Sequence, residues 1–185
     1  TGEINLRGGE NLAREISVEI PELRIKKRIT TNVSGRAAFE IKSRKIEYWS
    51  PENPKRYNVS FTTNNEELQD QIGFRTITTQ DDDILLNGEP ILLKGISLHE
   101  ESPITKGRAN SKEDAEKVLG WVKEMGGNYV RLSHYPHNEH IVRLADEMGI
   151  LVWEENPVYW TIQWNNPKTY ANAQNQLLEM IQRDK

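Results

Sequence analysis

Residues 1–77 alternate apolar and polar side chains with a period of two, in short runs that polar residues, glycine or proline separate. The clearest runs span residues 14–20, 25–31, 37–43 and 57–63. A strand that buries one face has this period, so the pattern predicts an all-β domain over residues 1–77. The short, nearly evenly spaced runs favour an immunoglobulin-like β-sandwich, and we expect this sandwich to be incomplete at its N-terminus.

A tight turn is predicted at Asn87 and Gly88, which lie between the two apolar runs of residues 84–93. Both residue types tolerate a positive φ, which the two-residue turns of β-hairpins require. We place this hairpin at the transition between the β domain and a second domain over residues 78–185.

Beyond the hairpin the pattern changes to alternating strands and helices. The predicted strands span residues 91–98, 128–134 and 150–156. Ser111 and Asp114 resemble a capping box before the first helix, a second helix follows over 139–149, and Asn166 before Pro167 is typical of a third helix start. Three successive β-α units build either a doubly wound sheet or a (β/α)8 barrel, and the pattern alone leaves both open.

The composition of the chain argues against several classes of binding partner and site. The 185 residues carry a net charge of -4 with no basic stripe, which argues against nucleic acid as a partner. No apolar run is long enough to cross a bilayer, so no membrane span is predicted. The absence of cysteine excludes disulfides and thiolate metal sites but fits the cytoplasm, the periplasm and the exterior of a bacterium equally well.

Ionisable side chains collect where the three predicted strands end. These ends read SLHEE at 97–101, RLSHYP at 131–136 and WEEN at 153–156, while the opposite ends carry almost no charge. In both candidate architectures the chemistry lies at the carboxyl ends of the parallel strands. We therefore expect the functional site at this edge of the sheet.

A metal site is one interpretation of this edge, since imidazole and carboxylate together suit zinc or iron. Its candidate ligands are His99, Glu100, His134, His137 and His140. Pro136 interrupts the backbone between the first two histidines of the 134, 137, 140 series, so no single helical face presents all three. The metal interpretation is therefore the weaker one, with His137 and His140 expected at a solvated helix start.

Sugar hydrolysis is the better interpretation, because it uses two carboxyl groups that lie about 5 to 5.5 Å apart in retaining enzymes. The candidate carboxylates are Glu100, Glu101, Glu154 and Glu155. Aromatic side chains that could stack on sugar rings follow the third strand: Trp153, Tyr159, Trp160 and Trp164. Packing in the core or in loops is an equally good expectation for each of these aromatic residues.

Four longer phrases resemble glycoside hydrolase family 2, which includes β-galactosidases, β-glucuronidases and β-mannosidases. They are YWSPENPKRYNVSF from residue 48, GFRTI from residue 73, LNGEPILLKGISLHEE from residue 86, and GGNYVRLSHYPHNEHIVRLADEMGILVWEE from residue 126. The resemblance implies an immunoglobulin-like β-sandwich followed by the first three β-α units of a truncated (β/α)8 TIM barrel. Trp49 in the first phrase is expected to pack inside the sandwich.

The resemblance changes the interpretation of the carboxylates. In the family, the acid/base glutamate ends the fourth barrel strand and the nucleophile ends a later one, so we expect both to lie beyond residue 185 and assign no catalytic residue here. Positions matching the family's substrate-binding residues are His99, Arg131, His134 and Glu155. The segment after the third strand departs from that of magnesium-binding members, so we expect no metal and no cofactor.

The sequence thus predicts part of a retaining β-glycosidase, most closely a β-galactosidase, acting on a β-linked carbohydrate. The 185-residue fragment alone is expected to be inactive, because its catalytic carboxylates would lie elsewhere. A β-glucuronidase or β-mannosidase, a non-catalytic carbohydrate-binding or scaffold protein, and a metal-dependent hydrolase are the alternatives. Three open strands also leave an unpaired edge, so pairing with a partner or a second copy of the chain is expected.

Overall fold

A computed structural model describes residues 2–6, 13–43, 45–102 and 104–184. Part of the all-β domain predicted over residues 1–77 lies outside the described residues, as does the last residue, Lys185. The chain forms two compact units, one comprising Thr1–Trp49 with Lys55–Arg75 and the other comprising Ser50–Pro54 with Thr76–Lys185.

The first unit contains two antiparallel sheets. Two strands, β1 and β4, form the smaller sheet, and four strands in the order β3-β2-β5-β6 form the larger one. These strands are β1 (Gly2–Asn5), β2 (Glu15–Ile20), β3 (Ile25–Thr30), β4 (Arg36–Phe39), β5 (Tyr57–Thr62) and β6 (Glu67–Ile72). A 3-10 turn at Pro21–Leu23 connects β2 to β3.

Alternate residues of β2 build the core of the first unit, as the period of two predicted. Ile16, Val18 and Ile20 are buried and pack with residues of both sheets. Trp49 is fully buried in this unit, with the guanidinium of Arg75 4.4 Å from the centre of its ring. The expectation that Trp49 packs inside the β domain is confirmed.

Two strands of the first unit differ from the prediction. The strand predicted over residues 37–43 is shorter, since β4 ends at Phe39. Strand β6 was not predicted, because its sequence, ELQDQI, has almost no apolar residues to show alternation. It forms because all six of its residues pair with β5, which supplies backbone hydrogen-bond partners whatever the side chains are.

The second unit begins with a three-stranded antiparallel sheet that contains the predicted hairpin. Its strands are β7 (Ile77–Gln80), β8 (Asp83–Leu86) and β9 (Glu89–Pro90). Asn87 and Gly88 connect β8 to β9 with φ angles of 55° and 89°. The predicted turn is confirmed, and its positive φ values explain why these two residue types occur there.

A parallel sheet with the order β10-β11-β12 forms the rest of the second unit, together with three helices. The elements are β10 (Gly95–Leu98), α1 (Lys112–Glu124), β11 (Tyr129–Leu132), α2 (Glu139–Met148), β12 (Leu151–Glu154) and α3 (Pro167–Asp184). The strand predicted over 91–98 was too long at its start, because β10 begins only at Gly95. There the Lys94 backbone turns to accept and donate hydrogen bonds with Asn128.

Capping residues set the helix boundaries close to their predicted positions. The Ser111 hydroxyl accepts a hydrogen bond from the Asp114 backbone N–H at 3.1 Å and starts α1. Asn138 caps α2 in the same way, and Gly149 ends that helix with a φ of 71°. Residues of α1, α2 and the parallel strands form the core, which includes Leu119, Val130, Leu132, Leu144, Ala145 and Ile150. Within the described residues, every helix is too short or too polar to span a bilayer.

Candidate functional site

The register of the parallel sheet aligns three residues across its neighbouring strands. Ser97 pairs with Arg131, and Arg131 pairs with Trp153, so the three side chains point to the same face of the sheet. His99 follows Ser97 by two residues at the end of β10, and Glu155 follows Trp153 by two residues at the end of β12. The predicted site residues therefore gather at the carboxyl ends of β10, β11 and β12.

Arg131 and Glu155 form the centre of the site. The Arg131 Nε and Nη2 atoms donate to Glu155 Oε2 and Oε1, each at 3.0 Å. His134 Nδ1 lies 2.5 Å from the same Oε1 atom. The indole N–H of Trp153 donates to Oε2 at 3.2 Å. The structure thus brings three of the four predicted site residues into one hydrogen-bonded cluster.

The donors around Glu155 keep it ionised. Partial burial acts to raise the pKa of this carboxyl, but hydrogen bonds from His134 and Arg131 and the charge of Arg131 outweigh burial, so the pKa lies below its usual value. Both carboxylate oxygens are occupied by donors, which leaves Glu155 poorly suited to transfer a proton or attack a sugar. Its geometry is that of a residue that positions its neighbours.

His134 presents one ring nitrogen for a ligand. Because the Glu155 carboxylate accepts, Nδ1 of His134 carries the proton, and Nε2 is left to exchange a hydrogen bond with something else. The His99 ring lies edge-on to the His134 ring, with centroids 5.3 Å apart. The Tyr159 ring lies 5.4 Å away. The rings of His99 and Tyr159 therefore place polar and aromatic surfaces beside the imidazole, and such surfaces suit the hydroxyl and C–H groups of a ligand.

Sequence reasoning missed the role of Tyr135. Its ring stacks on that of His137 with centroids 5.1 Å apart, and its hydroxyl accepts the Glu100 backbone N–H at 3.2 Å. It also lies 6.4 Å from the His99 ring. Its place between His134 and His137 in the phrase RLSHYPH was the one signal in the sequence that could have indicated it.

Glu100 is a structural residue. Its carboxylate pairs with Arg108 and accepts both the backbone and side-chain N–H groups of Asn138, at 2.6 and 2.9 Å. Burial acts to raise the pKa of Glu100, but the hydrogen bonds from Arg108 and Asn138 hold it below its usual value. Since Asn138 caps α2, this buried carboxylate connects the end of β10 to the start of that helix.

Glu154 points away from Glu155, toward the C-terminal end of α3. One of its oxygens lies 3.8 Å from Arg183 Nη2, too far for a hydrogen bond. Burial first, and then the neighbouring carboxyl of Asp184, raises the pKa of Glu154 to about 7. Glu101 is exposed and bridges to Arg108 through the backbone. The four glutamates that were candidates for a catalytic pair therefore do not converge on one point.

The candidate metal ligands are dispersed. Across the described ranges, no three histidine or carboxylate side chains lie close enough together to hold a metal ion. His140 is exposed on α2, whereas His137 is buried and its Nε2 contacts the Ser133 carbonyl oxygen at 3.0 Å. The expectation of a solvated His137 was wrong, because the chain turns inward after β11 and packs this ring against Tyr135.

Sequence comparison decides the family. The family model described as "Glycosyl hydrolases family 2, TIM barrel domain" matches residues 77–184, and the one described as "Glycosyl hydrolases family 2" matches residues 1–75. The chain belongs to glycoside hydrolase family 2. It carries the sandwich domain of the family and part of its TIM barrel domain, and the predicted family membership is confirmed.

Individual family members cover much of the chain but are far longer. The β-galactosidase of Thermoanaerobacter pseudethanolicus is 36% identical over 143 residues, which are 74% of this chain and 19% of that protein. The β-glucuronidase of Streptococcus agalactiae is 34% identical over 63% of this chain and 22% of its own length. This chain spans about a fifth of these curated relatives.

Solved structures of family 2 members share the fold. A β-galacturonidase from Eisenbergiella tayi, in complex with galacturonate, superposes with a TM-score of 0.79 at 33% identity and covers 92% of this chain. The chain corresponds to 32% of that structure. A Bacteroides uniformis β-glucuronidase superposes with the same TM-score at 28% identity and 98% coverage of this chain.

Proposed function

We propose that the chain is the substrate-contacting part of a retaining β-glycosidase, with the sandwich followed by the first three β-α units of the barrel. The two glutamates of the double displacement would come from sequence outside these 185 residues. One would protonate the leaving oxygen while the other forms a glycosyl-enzyme intermediate that water then cleaves. Family membership and the length of the relatives support this proposal.

The observation that carries the proposal is the arrangement of His134. Glu155 orients its imidazole through Nδ1, which leaves Nε2 for a sugar hydroxyl, and His99 lies beside it. Arg131 keeps the Glu155 carboxylate ionised and so maintains this orientation. In this mechanism His99 and His134 bind the sugar, while Arg131 and Glu155 position His134.

A β-galactoside is the substrate that we favour. The positive charge of Arg131 is compensated by Glu155, so this cluster offers no unpaired cation to a sugar carboxylate. Curated β-galactosidases at 34 to 36% identity are consistent with a neutral sugar. A β-glucuronidase or related uronidase is the second candidate, because solved structures with these activities share the fold.

Hydrolysis of aryl glycosides tests the proposal. The 185-residue chain and the product of the gene with any sequence that it encodes beyond residue 185 would be assayed on aryl β-galactoside, β-glucuronide, β-galacturonide and β-mannoside. We expect hydrolysis by the longer product, fastest on the galactoside, and none by the 185-residue chain. Turnover by the short chain would contradict the proposal, and sugar binding without turnover by the longer product would favour a non-catalytic binding protein.

The edges of the parallel sheet are part of the same proposal. Strands β10 and β12 each have one neighbour among the described residues, which leaves backbone groups available for pairing. We propose that further barrel strands, or a second copy of the chain, cover these edges. Light scattering of the purified 185-residue chain checks this: a stable monodisperse monomer would contradict it.

A further inference from the structure

Ser133, which directly precedes His134, is bonded to Leu98, which directly precedes His99. Its backbone N–H and its hydroxyl both donate to the Leu98 carbonyl oxygen, at 2.9 and 3.1 Å. Ser133 is buried, and hydrogen bonds that are shielded from water are stronger than exposed ones. The two chain segments that carry the imidazoles are therefore joined immediately before them.

Tyr135 joins the same two segments immediately after the imidazoles. It follows His134, and its hydroxyl accepts the backbone N–H of Glu100, which follows His99, at 3.2 Å. Glu100 is buried, and a buried backbone N–H needs a partner within the protein. The phenol oxygen of Tyr135 supplies that partner, so its removal would leave a buried donor unpaired beside His99.

His137 holds the peptide bond between Ser133 and His134. Its Nε2 lies 3.0 Å from the Ser133 carbonyl oxygen, and because a carbonyl can only accept, Nε2 carries the proton. The ring is buried, and burial lowers the pKa of His137, so the imidazole is neutral at pH 7. Its Nδ1 has no hydrogen-bond partner among the described residues, so the ring makes its polar contact through Nε2.

The rings of Tyr135 and His137 also support each other, since they stack with centroids 5.1 Å apart and planes 25° from parallel. Beside them, the rings of His99 and His134 lie 5.3 Å apart and edge-on, at 75°. Glu155 fixes the rotation of the His134 ring through Nδ1. Tyr135 and His137 act on a different part of the structure, the backbone from which the imidazoles project.

We propose that Tyr135 and His137 are positioning residues, which hold the imidazoles of His99 and His134 edge-on to each other through hydrogen bonds to the backbone. This inference rests on the proposed function, because it concerns the two residues that would bind the sugar. Two rings that are already in place lose less conformational entropy when a ligand arrives. A small displacement of either ring would therefore weaken binding although neither positioning residue binds the ligand itself.

Tyr135→Phe tests the first half of the proposal, since it removes the phenol oxygen and keeps the ring that stacks on His137. The protein is the longer gene product, with any sequence encoded beyond residue 185, and the substrate is the aryl glycoside that it hydrolyses fastest. The imidazoles would bind the same hydroxyls before and during the reaction, so KM should rise about fivefold while kcat changes less than about twofold.

Tyr57→Phe is the matched control for Tyr135→Phe. The Tyr57 hydroxyl also accepts a backbone N–H, that of Glu47 at 2.8 Å, but it belongs to the first unit. Both variants leave a backbone donor without its partner, so both should lower the midpoint of urea unfolding. Only Tyr135→Phe should raise KM.

Two replacements of similar polarity test the role of His137. The side-chain N–H of glutamine lies about as far from the backbone as Nε2 of histidine, and that of asparagine about as far as Nδ1. His137→Gln can therefore still donate to the Ser133 carbonyl and should keep KM within about twofold, whereas His137→Asn cannot reach it and should raise KM about fivefold.

The ring geometry is measured without hydrolysis. In the histidine-labelled longer product, NMR cross-relaxation between the ring protons of His99 and His134 should be weaker in Tyr135→Phe and His137→Asn than in the wild type. Unchanged cross-relaxation in both variants would overturn the proposal, as would an equal rise in KM in Tyr57→Phe. If no glycoside is hydrolysed, the proposed function fails, and the cross-relaxation alone decides this inference.

Discussion

The guanidinium of Arg131 binds the carboxylate of Glu155 through two parallel hydrogen bonds, each 3.0 Å long. This fork-to-fork pair joins the centre of one parallel strand to the end of the next. Because the same carboxylate also binds His134 Nδ1, one ion pair determines which imidazole nitrogen is held within the protein.

Glu155→Gln should disturb ligand binding more than folding. The pair is partly exposed, so we expect the free energy of unfolding to fall by only about 1 kcal/mol in urea titrations. The glutamine amide can present an N–H to His134 in place of the acceptor oxygen, and the imidazole ring then loses its fixed orientation. The affinity for galactose of the longer gene product, which includes sequence beyond residue 185, should therefore fall about tenfold or more. Glu116→Gln, on the exposed surface of α1, is the control and should change neither quantity.

Glu100→Gln should be strongly destabilising. Glu100 is buried, pairs with Arg108 and holds the N-cap of α2, so we expect the free energy of unfolding to fall by about 3 kcal/mol at pH 7. The neighbouring Glu101→Gln is exposed and should cost less than about 0.5 kcal/mol. Equal losses in the two variants, measured by urea unfolding, would contradict a structural role for Glu100.

The pH dependence of this effect has a defined sign. The folded-state pKa of Glu100 lies below its usual value, so the native state binds fewer protons and gains stability above that value. This contribution is lost as pH falls through the lowered pKa. The difference between the wild-type chain and Glu100→Gln should therefore shrink in unfolding experiments below about pH 4.

Glu154→Gln should have the opposite dependence on pH. The pKa of Glu154 is raised to about 7 in the folded chain, so this group lowers stability as pH rises from its ordinary pKa toward 7. Gln removes that penalty, and we expect the variant to be more stable than the wild type by on the order of 2 kcal/mol at pH 8. The difference should vanish below about pH 4, where Glu154 is protonated in both the folded and the unfolded chain. The exposed Glu124→Gln is the control, and a difference that does not change with pH would contradict this account.

Replacement by alanine should have opposite effects on stability at Gly149, which ends α2, and at Gly120, which lies inside α1. Gly149 has a φ of 71°, and an added Cβ would lie 2.5 Å from the Pro51 carbonyl oxygen, so Gly149→Ala should cost about 2 kcal/mol. Gly120 lies inside α1 with open space around its Cα, so Gly120→Ala should stabilise the chain by about 0.5 to 1 kcal/mol. Thermal unfolding of both variants tests the pair, and destabilisation by Gly120→Ala would contradict it.

Much of the fold follows from local signals. The period of two over β2 predicted which residues face the core, and Asn87 with Gly88 predicted the turn. Strand β6 had no such signal, because it depends on pairing with β5 rather than on its own side chains. Pairing with the preceding strand overrides the weak local preference of these six residues, which is why that strand was missed.

The candidate site was likewise predicted only in part from the sequence. The sequence placed His99, Arg131, His134 and Glu155 at the ends of parallel strands, and their clustering follows from strand register. It did not show that Glu100 and Glu154 turn away from Glu155. The direction of Glu100 depends on Arg108 and on the remote Asn138, and that of Glu154 depends on the C-terminal end of α3, which is also remote along the chain.

By itself, the sequence determined the order of elements, the hairpin, the helix caps and the edge of the sheet where ionisable groups gather. These features depend on periodicity and on the backbone preferences of single residues, which are local properties. Only the tertiary structure decided which carboxylate orients His134 and which one is buried beneath a helix start. Those depend on contacts between distant residues, which no local pattern encodes.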